Sequence, residues 1–154
     1  MQLQVSVLVL AATALASPAS LSLRQNNYIY INGTSGTVQV TTDTDDAQNL
    51  GCLDSKAQFT ADASACATFT ATNGQISVNG QSIGLDVTSG IMEMTTADPI
   101  LFYSDDRTSP IRMYYSDLGF TWYASEVPAA GSTTDLFRYN PTSRDIVVQL
   151  FLTY

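Results

Sequence analysis

The groups best able to do chemistry in this chain are its carboxylates. Fourteen Asp and Glu face six Lys and Arg, and there is no histidine, for a formal net charge of −8. Without imidazole there is no Ser-His-Asp or Cys-His nucleophile, no His-ligated zinc and no His-based pH switch. What carboxylates alone can do is glycosidic bond cleavage, where two acids at a fixed separation act as proton donor and as nucleophile or base. No spacing singles out such a pair. Most acids lie beside turn residues, where a short carboxylate accepts backbone N–H bonds. The expectation is therefore no catalytic residue, with a small carboxylate-dependent glycoside hydrolase as the weaker alternative.

The densest acidic cluster is Asp43-Thr44-Asp45-Asp46. Alternating carboxylates can converge on Ca²⁺, but the loop lacks the Gly at the sixth position and the Glu at the twelfth that an EF-hand needs. A solvated loop is expected, with no metal and no cofactor. No phosphate-binding loop, nucleophile elbow or dinucleotide fingerprint occurs. The acidic surface repels nucleic acid phosphates and anionic membrane surfaces, so neither is an expected partner.

Tyr114, Tyr115, Trp122 and Tyr123 are a candidate ligand patch. An outward aromatic can stack on the apolar face of a pyranose, with Asp117 close by to bond hydroxyls. Neighbours on a strand point to opposite faces, so half of this set belongs to the core. Wall or host polysaccharide is the ligand class this patch would take, which makes a carbohydrate-binding or lectin-like protein the leading alternative function.

Cys52 and Cys66 are the only cysteines. Their spacing is too wide for a redox C-x-x-C, and partner ligands for a metal are missing, so a structural disulfide is expected. That fits residues 1–16, MQLQVSVLVLAATALA, which read as a secretory signal with an apolar run ending in Ala14-Leu15-Ala16. Cleavage is expected after Ala16, or failing that after Ala19. The run is too short to span a bilayer, and no other stretch reaches that length. Residues 17–27 read as a flexible segment or pro-segment, with Arg24 as a processing site that would expose Gln25. Asn32-Gly33-Thr34 is a glycosylation sequon, whereas Asn140-Pro141-Thr142 is blocked by its proline.

The elements that must position these residues are strands. Between Cys66 and Thr96, period-two alternation is cut by Asn73-Gly74, Asn79-Gly80 and Ser89-Gly90, which describes a β-meander. Upstream, Tyr28–Ile31 and Thr37–Thr41 flank a Gly-rich turn and predict a hairpin. Residues 54–64 predict a short strand around Gln58-Phe59-Thr60 or a helical turn. Downstream, Ile100–Tyr103, Ile111–Tyr115, Phe120–Tyr123, Leu136–Tyr139 and Ile146–Leu152 predict further strands, with a turn at Asn140-Pro141. About eleven short strands without an amphipathic helix predict one all-β domain over 28–154. A single-domain antiparallel β-sandwich or barrel is expected, with a β-trefoil as the alternative. Oligomeric state is not readable.

Gly80-Gln81-Ser82-Ile83, Asp86, Ser89-Gly90 and Thr95, downstream of Cys52 and Cys66 and of Tyr30-Ile31-Asn32-Gly33, resemble the fungal secreted cell-wall proteins of the PhiA type. The signal and the Arg24-Gln25 junction also look like those of small fungal secreted proteins. The resemblance spans Tyr28 to Thr96 and does not extend into the aromatic second half. It implies a non-enzymatic extracellular or wall-associated structural protein, and no catalytic residue carries over from it.

Overall fold

The computed structural model describes residues 28–105, 108–115, 119–139 and 146–154. The expected signal, the pro-segment with its Arg24 site, Asp117 and the Asn140-Pro141 turn lie outside the described residues. Among the described residues fifteen strands and one 3-10 turn form, so the fold is all-β as its alternation predicts. The excess over eleven comes from two-residue strands, too short to show periodicity.

The first strand, β1 (Ile29–Tyr30), is followed by the nine-residue β2 (Thr34–Thr42) and by β3 (Asn49–Leu53). After the short β4 (Phe59–Thr60) comes a 3-10 turn (Ala63–Ala65), so the segment 54–64 holds both of the elements expected of it. The meander is β5 (Thr68–Thr72), β6 (Gln75–Val78), β7 (Gln81–Leu85) and β8 (Met92–Thr95). Asn73 and Asn79 take positive φ of 50° and 52° ahead of Gly74 and Gly80, the geometry of tight hairpin turns. The second half supplies β9 (Phe102–Ser104), β10 (Ile111–Arg112), β11 (Tyr114–Tyr115), β12 (Thr121–Ala124), β13 (Thr133–Thr134), β14 (Leu136–Phe137) and β15 (Ile146–Thr153).

The long strands β2 and β15 pair antiparallel from Thr37↔Thr153 to Thr42↔Val148 and form the spine. On its other edge β2 pairs with β5 and then with β3. From β5 the meander runs to β8, while from β15 the sheet runs through β12 to β14. The two arms meet at the Ile91↔Phe137 bridge and at the Arg138 N–H to Gly90 carbonyl bond of 2.8 Å. The hydrogen-bonded path thereby curls back on itself as a barrel. It does not repeat in three equal units, as a β-trefoil would.

A second sheet, β1–β9–β11, is tied to the barrel by the Phe102 N–H to Gly74 carbonyl bond of 2.8 Å and the Ile100 N–H to Ile83 carbonyl bond of 3.0 Å. Both sheets feed one core, in which Phe59, Phe69, Phe102, Trp122 and Leu150 are fully buried. Burying such side chains drives folding, at roughly 1.5–3 kcal/mol for each.

Two strand expectations are corrected. Tyr28–Ile31 and Thr37–Thr41 do not form a hairpin. At Asn32-Gly33 the chain leaves the small sheet, with the Gly33 N–H bonded to the Ala71 carbonyl at 3.0 Å, so β1 lies on β9 and β2 on β5. Likewise Ile111–Tyr115 is two strands in different sheets: β10 pairs with β15, and after Met113 β11 pairs with β9.

Gly36 is where the spine is tightest. A Cβ there would sit 2.1 Å from the Thr153 carbonyl oxygen, a backbone atom that cannot rotate away. Gly36→Ala must therefore push β2 and β15 apart. The expected cost is about 1–3 kcal/mol, read as a lower urea midpoint with an unchanged slope.

Candidate functional site

The four aromatics expected to form a patch do not present a common surface. Trp122 is fully buried and Tyr114 is 7% exposed, while Tyr115 and Tyr123 are half-buried. Alternation on β11 and β12 divides each pair between the two faces, and the barrel takes Trp122 inward. Its ring packs 6.4 Å from Phe102 and 6.2 Å from Tyr115, centroid to centroid. Tyr114 lies between Tyr28 and Phe120 and donates its hydroxyl to Asp105 at 3.1 Å. Burial, then the Asp105 carboxylate, pushes the Tyr114 hydroxyl pKa up. Trp122 and Tyr114 are thus removed from the candidate patch, because the core claims them first.

Arg138, which carries no motif in the sequence, is buried against the same cluster. Its guanidinium lies 5.6 Å from the Tyr115 ring centroid and 5.9 Å from that of Trp122, and it donates to the Thr121 carbonyl. A guanidinium over ring faces gains cation–π attraction, so this cation packs as part of the core. The signal was its place in the alternating run Leu136–Tyr139, which read as an ordinary strand.

The cysteines are joined: Cys52 and Cys66 form a disulfide with Cα atoms 5.5 Å apart. It clamps β3 to the segment entering β5, beside the Ala67 N–H to Leu53 carbonyl bond of 3.0 Å.

Several of the described carboxylates are engaged in local structure. Asp54 accepts from the Lys56 and Gln58 amides, both at 2.9 Å. Asp62 accepts from the Ser64 amide at 2.9 Å and its hydroxyl at 2.7 Å. Asp86 accepts from the Thr88 amide and the Ser89 hydroxyl, both at 2.8 Å. Asp43 accepts from Gln149, and the remainder of the 43–46 cluster is an exposed turn. Among the described residues no three potential ligands converge as a metal site.

The bonds to Asp62 and Asp86 favour their ionised form. Ser64 holds Asp62 below its usual value of 3.8, through its hydroxyl first and then its amide, and the Thr88 amide leads in doing the same for Asp86. A depressed pKa contributes stability above the unfolded-state value, and that stability is lost as pH falls through the folded-state value. The melting temperature is expected to hold from neutral pH to about pH 5 and to drop below about pH 4. The acid-side drop should be smaller in Asp86→Asn, measured by circular dichroism melts across pH.

An open groove of about 640 Å³ lies beside β1 and the start of β2, and a smaller one of about 290 Å³ lies beside the disulfide. Tyr30, Asn32, Thr34, Ser35 and Tyr154 line the larger, and among the described residues none of its lining side chains is charged. Tyr30 is 47% exposed and stacks on Tyr103 with centroids 4.6 Å apart. This pairing leaves no local trace in the sequence, because β1 meets β9 across more than seventy intervening residues.

A second surface feature crosses the barrel wall. Ser35 pairs with Thr70, Thr70 with Ser77, Ser77 with Ser82 and Ser82 with Thr95. Paired residues share a face, so five hydroxyls form a rank across β2, β5, β6, β7 and β8 at a strand spacing of about 4.8 Å. Ser35 and Thr70 are exposed and share a 3.0 Å hydrogen bond. Thr68 and Thr72 are exposed on the same face of β5.

No helix among the described residues is long and apolar enough to cross a membrane. No protein family model matches the chain, and neither a curated protein nor a solved structure matches it.

Proposed function

We propose that this chain is a secreted, non-enzymatic structural protein of the extracellular space or the cell wall, fungal in origin, with wall polysaccharide as its partner. The observation that carries the reading is the hydroxyl rank Ser35–Thr70–Ser77–Ser82–Thr95. A row of uncharged donors and acceptors at regular spacing suits a neutral, hydroxylated polymer, which it can meet by direct or water-bridged hydrogen bonds. The disulfide supports an oxidising compartment, and the leader read in residues 1–16 supplies the route there.

The experiment is sedimentation of the mature protein with insoluble wall polysaccharide. Retention by the polymer is expected, with several-fold weaker retention for the exposed variant Thr70→Glu and no product released. Free passage of the wild-type protein, or turnover of the polymer, would contradict the reading.

A further inference from the structure

The groove beside β1 contains the chain's usable sequon, and the two belong together. Asn32 is held by the hairpin turn opposite it: its Oδ1 accepts the Asn73 backbone N–H at 3.0 Å, while the Gly74 N–H donates to the Ile31 carbonyl at 2.8 Å. Only the amide oxygen can accept that backbone proton, so the side-chain orientation is settled and Nδ2 is the atom left to point away. Asn32 itself is exposed, and Gly33 follows with φ of +73°.

Tyr30 stands two residues earlier. Both residues are exposed and line the same groove. Its ring is already fixed. One side packs on Tyr103, its hydroxyl accepts from that of Tyr103 at 3.3 Å, and its Cδ1 lies 2.5 Å from where a Cβ on Gly74 would be. Only glycine at 74 lets the ring settle there. A fixed, half-exposed aromatic in a groove whose described side chains are neutral is a preformed platform for a sugar ring.

We infer that Asn32 carries an N-linked glycan whose first N-acetylglucosamine packs against Tyr30 and occupies this groove. The inference rests on the secretory route of the proposed function, because the transfer takes place there. In that transfer Nδ2 loses a proton and bonds to C1 of the sugar, and the bond from C1 to a polyisoprenyl diphosphate donor breaks. Thr34 supplies the hydroxyl that the acceptor sequence requires. The attached sugar then meets Tyr30 without the entropy loss that a free ligand would incur.

The test uses the full chain with its own leader, secreted from yeast. Wild type, Tyr30→Phe and Tyr30→Ala are each prepared with the glycan and, from tunicamycin-treated cells, without it. The expected results are a secreted protein glycosylated at Asn32 and a melting temperature about 2–5 °C higher with the glycan in wild type and Tyr30→Phe. In Tyr30→Ala the glycan should give no such gain. The N-acetyl methyl protons of the first sugar should shift upfield in wild type and Tyr30→Phe, but not in Tyr30→Ala. Secretion with Asn32 bare overturns this inference and leaves the proposed function standing, whereas retention in the cell overturns both. An equal thermal gain in wild type and Tyr30→Ala, or binding of free chitobiose in the groove with no effect of the attached glycan, also overturns it.

Discussion

Trp122→Ala should cost about 3–5 kcal/mol of folding stability, the range for deleting a fully buried large aromatic. Trp122 has no exposed surface, sits at the Val148 register of β12 on β15, and packs against Phe102, Tyr115 and Arg138. Truncation leaves a cavity at the junction of the two sheets and strips one ring face from a buried guanidinium. Against a total stability of roughly 5–15 kcal/mol, that is enough to leave the variant marginal or unfolded at physiological temperature. Trp122→Phe should cost much less, because the buried indole N–H has no hydrogen-bond partner in the structure. Urea unfolding followed by far-UV circular dichroism measures both, and Trp122 fluorescence in the wild type should be blue-shifted and red-shift on unfolding. Polysaccharide retention that persists in folded Trp122→Phe would agree with a hydroxyl rank, and not an indole, as the contact surface.

Loss of the disulfide is the second large effect. Cys52 and Cys66 are fourteen residues apart, and closing a loop of that length is worth about 3 kcal/mol through the entropy of the unfolded chain. The loop encloses β4, whose partners are β3 and the two-residue β13. Such short pairings hold little on their own, so reduction should loosen this corner before it opens the β2–β15 spine. The expected result for Cys52→Ala with Cys66→Ala is a urea midpoint lowered by that amount, with exchange protection lost first at Phe59 and Thr60. Unchanged stability would show that β3 and β4 hold without the clamp.

The local architecture was legible in the sequence because local rules decide it. Asn-Gly pairs that tolerate positive φ, together with period-two alternation, placed the meander, and the cysteine spacing placed the disulfide. What was not legible is non-local. Nothing near Tyr28–Ile31 says that its partner is Phe102–Ser104, so the nearer Thr37–Thr41 was the natural but wrong choice. Met113 carries no turn signal, yet the chain changes sheets there. Alternation showed that Trp122 and Tyr123 face opposite ways. It could not show which way is inward, and that is what removed Trp122 from the surface. The hydroxyl rank was visible only as scattered Ser and Thr until strand register aligned them.

The most direct test of the central claim is the intact mass of the protein collected from the culture medium, with and without reductant, after thiol alkylation. The expected product has lost residues 1–16, takes up no alkyl group until reduced, and then takes up one on each of Cys52 and Cys66. A full-length chain confined to the cell, with both thiols alkylated before any reductant is added, would contradict that claim.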